Sequence, residues 1–187
     1  AVKVVILKAN GQAFSAGADL AYLQQLQENT YEENLADSEQ LKTLFTTILS
    51  LSKVIIAQVE GHAIAGGCGL ATACDIIFAV PEANFGYTEV KLGFVPAIVS
   101  CLLMRKTSET IAKRILLTGE LFSSETALNY NLITFVTKRE EIAQNVREFR
   151  VKNYPWWRFD RKIKRYIEHV YLILNDICAS CRFEFTW

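Results

Sequence analysis

One glycine-rich segment constrains the fold of this chain more than any other: residues 59–75, VEGHAIAGGCGLATACD. It follows the β-branched run 54–56, and the apolar residues 70–74 after its glycines are compatible with a helix. A strand that passes through a glycine turn into a helix leaves backbone N–H groups facing outward, because glycine has no Cβ and the first helical N–H groups have no partner within the helix. The segment therefore predicts either a site for an anion or a developing oxyanion, or a tight packing turn.

Two further segments place small or acidic residues next to predicted strands. Residues 13–20 (AFSAGADL) form a small-residue turn after the strand predicted at 2–7, and residues 85–96 (FGYTEVKLGFVP) set the carboxylate of Glu89 among apolar neighbours. In this order and at these separations, the three segments resemble the enoyl-CoA hydratase/isomerase (crotonase) superfamily over residues 3–136. The resemblance implies an α/β fold, a right-handed spiral of ββα units.

Bulk composition excludes several classes of protein. The chain has 187 residues, enough for one well-cored domain, and its 20 basic and 20 acidic residues give no overall field that favours nucleic acid or a membrane. No apolar run reaches the roughly 18 residues that a membrane span needs. Three of the five cysteines, at positions 68, 74 and 101, have apolar surroundings and are expected to be buried, reduced thiols. We expect the cytoplasm, or the mitochondrial matrix in a eukaryote.

Strand and helix patterns alternate along the chain, which predicts the α/β class independently of the resemblance. The longest helix is expected at 35–51 after a polar, mobile connection at 29–34, and the last strand at 132–136. Residues 1–150 are expected to form the core, N-terminally truncated because family members carry a further segment before the first strand. Residues 151–187 are expected to form an atypical aromatic and basic C-terminal tail with helical spacing. Its charges favour a solvated face, and a site for phosphate or an acidic partner is the alternative.

The resemblance assigns roles to the residues of the first two segments. The N–H groups of Ala18 and Gly66 would form an oxyanion hole for the thioester oxygen of an acyl-CoA, and the Ala16 carbonyl would hold the adenine amine of CoA. The other implied substrate or CoA contacts are Gly17, Asp19, Leu20, Gly67 and Gly69. For Asp19 we favour a structural role as the cap of the following helix.

The acid/base assignment rests on one residue, Glu89. Hydratases of the family generally carry two glutamates, but the first position is Gly69 here and only the second is retained. A single glutamate in an apolar pocket has a raised pKa, which suits proton transfer near neutral pH. One such group suffices to move a proton between two carbons, and also for hydration if another group or the substrate orients the water. The alternative is an exposed carboxylate at the end of a strand.

The chain departs from the family pattern a second time, at the end of the third segment. The usual Pro-Gly-x-Gly-Gly-Thr is replaced by PAIVS at 96–100, which is closer to a bacterial branch of enoyl-CoA or methylglutaconyl-CoA hydratases. We therefore predict an enoyl-CoA hydratase; an enoyl-CoA isomerase and a catalytically silent acyl-CoA-binding or scaffolding protein are the alternatives. The expected partners are an acyl-CoA substrate and further copies of the chain, as a homotrimer or hexamer. No metal, separate cofactor, membrane or nucleic acid is expected.

Overall fold

Two β-sheets and seven α-helices organise residues 4–151, the part of the chain that the computed structural model describes. The strands are β1 (Val4–Lys8), β2 (Val54–Val59), β3 (Ala63–Ile64), β4 (Ile76–Ala79), β5 (Asn84–Gly86), β6 (Phe122–Ser123) and β7 (Phe135–Val136). The helices are α1 (Leu20–Leu26), α2 (Tyr31–Ser50), α3 (Gly66–Ala73), α4 (Ala97–Lys106), α5 (Glu109–Thr118), α6 (Ser124–Asn129) and α7 (Arg139–Val151), with a 3₁₀ helix at Glu89–Leu92. The α/β class is confirmed.

The larger sheet is parallel throughout, with the strand order β1-β2-β4-β7. Its second strand, β2, is buried almost along its whole length, as expected for an apolar strand covered on both faces. Leu7 of β1 pairs with Ala57 of β2. Because the two strands run in the same direction and in register, the loops that follow them leave the sheet at the same edge.

A smaller sheet, β3-β5-β6, joins the three sequence segments. Strands β3 and β5 are parallel, and β6 is antiparallel to β5. An isolated parallel bridge between Ser15 and Ala63 attaches the loop after β1 to β3. The glycine-rich segment 59–75 and the segment 85–96 meet where β3 pairs with β5. This sheet therefore brings together residues that lie far apart in the sequence.

The start of α2 was predicted wrongly. Residues 31–34 are its first turn rather than a polar connection, because Thr30 and Glu33 form a capping box. The Thr30 side chain accepts a hydrogen bond from the Glu33 N–H, and the Glu33 carboxylate accepts one from the Thr30 N–H. These contacts satisfy donors at the helix terminus and let the helix begin well before its apolar periodicity does.

Two other expectations also need correction. Strand β7 is only two residues long, because the N–H groups of Leu132 and Ile133 donate back to the Ala127 carbonyl and not to β4. Cys68 and Cys74 are buried as predicted, but Cys101 is exposed on α4. The predicted helix of the tail lies outside the described residues. Within residues 4–151, no helix is both long and apolar enough to cross a membrane.

Candidate functional site

The loop after β1 lies along β3 and ends beside the amino terminus of α3. The N–H groups of Phe14 and Ser15 donate to the His62 carbonyl at 2.9 and 3.2 Å, and the Ile64 N–H donates to the Ser15 carbonyl at 2.9 Å. Within the loop, the Gly17 N–H donates to Ser15 Oγ at 3.2 Å. Backbone hydrogen bonds therefore fix the first predicted segment against the second.

Two glycines allow this close approach. Gly17 has a φ of 91°, and a Cβ there would lie 3.0 Å from the Ala65 Cβ and 3.3 Å from the Gly66 nitrogen. A Cβ on Gly67 would lie only 2.3 Å from the carbonyl oxygen of Ser15. Because a Cβ on Gly67 would clash with this backbone, and one on Gly17 would be crowded at a strained positive φ, the two segments meet backbone to backbone.

Ala65, the residue before α3, has a backbone conformation that L-residues rarely adopt. Its φ of 52° and ψ of −130° carry a cost of about 1–3 kcal/mol. Hydrogen bonds hold it: its N–H donates to the Gly86 carbonyl at 2.7 Å, and its own carbonyl accepts from the N–H groups of Cys68 and Gly69 at 2.9 and 3.1 Å. The strained residue turns the chain so that α3 begins against the loop containing Gly17.

The N–H groups of Ala18 and Gly66, the predicted oxyanion donors, belong to the two segments that meet. Gly66 is the first residue of α3, where an N–H has no acceptor within the helix. Among residues 4–151, neither N–H donates to another protein group. The partial positive charge at the start of the helix favours an anion at the same place. The arrangement is compatible with the predicted oxyanion hole, and the role of the two donors stays a prediction.

Of the other residues in the loop after β1, Asp19 has a structural role and Ala16 keeps only a predicted one. Asp19 caps α1 as predicted, since its carboxylate accepts hydrogen bonds from the N–H groups of Ala21 and Tyr22 at 2.8 and 3.2 Å. Leu20 is the first residue of that helix. Ala16 is exposed, and its contact with CoA stays a prediction.

Glu89 is the first residue of the 3₁₀ helix and is half-buried. Burial raises the pKa of its carboxyl group above the ordinary value of 4.5. One carboxylate oxygen, Oε2, is buried and has no hydrogen-bond partner in the described part of the chain. The negative charge also contributes to the raised pKa of the Cys68 thiol and the Tyr87 hydroxyl, so the carboxylate lies close to the first turn of α3. Glu89 is thus a partly desolvated acid/base candidate, not an exposed residue at the end of a strand.

A buried hydroxyl pair, which the sequence did not point to, connects the segment of Glu89 to α3. Tyr87 is fully buried, and its hydroxyl lies 2.8 Å from Thr72 Oγ1. Thr72 Oγ1 also lies 3.0 and 2.9 Å from the carbonyls of Cys68 and Gly69, to which it can donate. Because Glu89 follows Tyr87 by two residues, this pair positions the acid/base candidate relative to the helix.

Cys68 is unsuited to nucleophilic chemistry although it lies in the glycine segment. Burial raises the pKa of its thiol to about 12, with a smaller contribution from Glu89, so the reactive thiolate is not formed near neutral pH. Within residues 4–151, the structure contains no group of three His, Cys, Asp or Glu side chains that could hold a metal ion.

Comparison with known proteins places this geometry in context. The family model described as enoyl-CoA hydratase/isomerase matches residues 1–153. A putative enoyl-CoA hydratase of Thermus thermophilus is 44% identical over 157 residues, which cover 82% of this chain and 62% of that protein. The crotonyl-CoA hydratase of Syntrophomonas wolfei is 33% identical over 150 residues, covering 79% of this chain and 56% of that protein. The chain thus spans less than two thirds of the length of these relatives.

The fold comparison agrees with the sequence comparison. A crystal structure from Legionella pneumophila, described as a putative enoyl-CoA hydratase/isomerase (crotonase), matches with a TM-score of 0.82 at 34% identity, covering 98% of this chain and 74% of that one. An enoyl-CoA hydratase structure from Mycobacterium smegmatis gives a TM-score of 0.77 at 28% identity, over 81% of this chain and 58% of that one. The predicted crotonase-like fold is confirmed.

The two adjacent glycines at the start of α3 should differ in how well they tolerate alanine. Gly67→Ala is expected to lower the free energy of unfolding by about 2 kcal/mol, because its Cβ meets the backbone of Ser15. Gly66→Ala should stay within about 1 kcal/mol of wild type, since the nearest atom to its Cβ is the Gly17 Cα at 3.8 Å. Urea unfolding of both variants checks this. Equal stability would contradict the backbone contact.

Loss of the Tyr87 hydroxyl should destabilise the fold modestly. Tyr87→Phe removes one buried hydrogen bond, for which we expect a cost of about 1 kcal/mol and a decrease in Tm of about 2–4 °C. Tyr31→Phe is the matched control, because Tyr31 is 76% exposed and should leave Tm unchanged. The assignment fails if thermal unfolding gives both variants the same Tm as wild type.

Glu89→Gln is expected to stabilise the protein near neutral pH. The pKa of Glu89 is raised in the folded state, so the folded protein binds more protons than the unfolded chain between pH 4.5 and the raised value. Stability contributed by the protonated carboxyl is therefore lost as pH rises through that window. Tm measured from about pH 4 to pH 8 should fall less with pH in the variant than in wild type. Parallel curves would show that Glu89 is not desolvated.

Proposed function

Because the chain belongs to the enoyl-CoA hydratase/isomerase family, we propose that it hydrates an enoyl-CoA thioester, with Glu89 as its single acid/base. The observation that carries the proposal is the contact of the Gly17 loop with the start of α3, which within residues 4–151 leaves the N–H groups of Ala18 and Gly66 without protein acceptors. In the same part of the chain, one buried carboxylate oxygen of Glu89 has no hydrogen-bond partner. Acyl transfer by a nucleophilic thiol does not fit, because burial disfavours the Cys68 thiolate.

The proposed oxyanion hole stabilises charge on the thioester oxygen. When water adds to the β-carbon of a 2-enoyl thioester, electrons move through the α-carbon and negative charge develops on the carbonyl oxygen. The N–H groups of Ala18 and Gly66 would bind that oxygen more strongly in the transition state than in the ground state, which accelerates the reaction. Loss of one such donor costs roughly 3 kcal/mol of transition-state stabilisation.

Glu89 would move the proton. Its carboxylate takes a proton from water while the water oxygen bonds to the β-carbon, and the resulting carboxyl group returns a proton to the α-carbon. The net change is addition of water across the double bond, and Glu89 ends ionised as it began. The unpaired Oε2 leaves an acceptor available for that water, and a raised pKa suits proton transfer near neutral pH.

The relatives support hydration as the reaction. Both of the curated relatives described above are named as hydratases, one of them for crotonyl-CoA. The CoA moiety enters as part of the substrate, so the proposed reaction needs no separate cofactor. A trimer or hexamer belongs to the same proposal: exposed apolar side chains such as Leu92, Val95 and Leu117 would be covered in such an assembly. The expected cytoplasmic location is likewise part of the proposal.

Enoyl-CoA isomerisation is the second candidate, and the observation that favours it is the absence of a side chain at Gly69. With one carboxylate, Glu89 could take a proton from the α-carbon of a 3-enoyl thioester and return it to the γ-carbon. The same oxyanion hole would stabilise the dienolate. A protein that binds acyl-CoA without turnover is the third possibility.

The decisive experiment follows the absorbance of the conjugated thioester in crotonyl-CoA. We expect the wild-type protein to remove this absorbance and Glu89→Gln to reduce the rate by about 100- to 10,000-fold. Glu125→Gln is the matched control, because this carboxylate is exposed on α6 and should keep the wild-type rate.

Other outcomes discriminate the alternatives. If the wild type binds crotonyl-CoA without turnover, hydration of this substrate is excluded. A 3-enoyl-CoA then separates the remaining two: Glu89-dependent appearance of the conjugated absorbance identifies an isomerase, and no change identifies a silent binder. Equal activity of wild type and Glu89→Gln would remove Glu89 from the mechanism.

A further inference from the structure

Val99 on α4 fills the space that any side chain at position 69 would need. A Cβ built on Gly69 would lie 2.3 Å from Val99 Cγ1 and 2.8 Å from Val99 Cβ, and the third nearest atom also belongs to Val99. Val99 itself is buried, with 5% of its surface exposed. Rotation of the valine side chain cannot relieve the clash, because its Cβ does not move on rotation about χ1.

The blocked space lies on the side of α3 that faces the candidate site. Gly69 follows Gly66 by three residues, so the two positions share one face of the helix. A Cα–Cβ bond in a helix tilts toward the amino terminus. A side chain at position 69 would therefore extend toward Gly66 and the predicted oxyanion donors, starting from space that Val99 occupies.

We propose that Val99 decides which residue position 69 can carry: its side chain excludes a second carboxylate there and leaves Glu89 as the single acid/base of the site. Gly69 and Val99 then form one steric unit, and a carboxylate can be introduced at position 69 only if the Val99 side chain is removed. The reacting water is positioned by Glu89 without a second acidic group. This inference rests on the proposed function and refines the same site.

A series of alanine and glycine variants tests the steric unit without reference to activity. Alanine normally stabilises a helix relative to glycine, so the sign of the Gly69→Ala effect is diagnostic. In wild type, Gly69→Ala should lower Tm by about 5 °C. The decrease should be smaller in a Val99→Ala background, which retains the Cβ at 2.8 Å, and should become an increase in a Val99→Gly background.

Leu102 provides the control for this series. It is also buried on α4, but its atoms are not among the three nearest to position 69. In a Leu102→Ala background, Gly69→Ala should still lower Tm. A Gly69→Ala variant as stable as wild type, or rescue by Leu102→Ala as good as rescue by Val99→Gly, would overturn the proposal.

The functional consequence is tested with a matched pair in the Val99→Gly background, Gly69→Glu against Gly69→Gln. The two side chains have nearly the same size, and only the glutamate can act as a second acid/base. Hydration of crotonyl-CoA should be about tenfold faster with glutamate, and its pH–rate profile should gain an ionisation that the glutamine variant lacks. Equal rates and profiles would show that position 69 does not face the reacting atoms, and the proposal would fail.

These measurements separate failure of the inference from failure of the proposed function. If wild type does not hydrate crotonyl-CoA but the sign reversal and the glutamate-dependent rate are observed, the role of Val99 is supported and the proposed activity is wrong. If wild type hydrates crotonyl-CoA but Gly69→Ala raises its Tm, the activity stands and the inference is overturned.

Discussion

The backbone contact between the loop after β1 and the first turn of α3 is the constraint on which the candidate site depends. Parallel pairing of β1 with β2 brings both loops to one edge of the sheet, and the carbonyls of Ser15 and His62 then fix their register. At this separation a side chain at Gly67 would clash with the Ser15 backbone, and one at Gly17 would be crowded and strained. Packing therefore favours small residues in both segments, and within residues 4–151 it leaves the N–H groups of Ala18 and Gly66 without protein acceptors.

Two energetically unfavourable features, a strained backbone and an unsatisfied polar atom, lie in the candidate site. Ala65 has a positive φ, and one oxygen of Glu89 is buried with no hydrogen-bond partner among residues 4–151. Features of this kind persist only where the surrounding structure holds them, and they occur most often at sites that bind or react. Here the hydrogen bond from Ala65 to Gly86 and the buried pair of Tyr87 with Thr72 provide that support. The strain therefore favours a site that is formed before substrate binds.

Local sequence signals predicted the elements that local interactions determine. Ser108 and Ser123 cap α5 and α6 through their own side chains, and the apolar sequence of β2 is that of a strand buried almost along its whole length. The early start of α2 is also encoded locally, since Thr30 and Glu33 have capping-box spacing, although the apolar periodicity of the helix begins later. The short length of β7 could not be predicted from the sequence, because it depends on the backbone hydrogen bonds that residues 132–133 donate to α6.

In the candidate site, too, only features encoded by local sequence could be predicted. The glycines and Glu89 could be located from their segments, because a site built from backbone N–H groups requires small residues around it. Tyr87, Thr72 and Val99 could not be found, because their contacts arise only when α3 packs against α4 and against Tyr87, which precedes the 3₁₀ helix. In the sequence, the glycine at position 69 and the unusual PAIVS at 96–100 are two separate departures from the family pattern. In the structure the two departures are coupled, because Val99 of PAIVS fills the space that the missing side chain at Gly69 leaves. The effect of either departure on the chemistry therefore depends on the other.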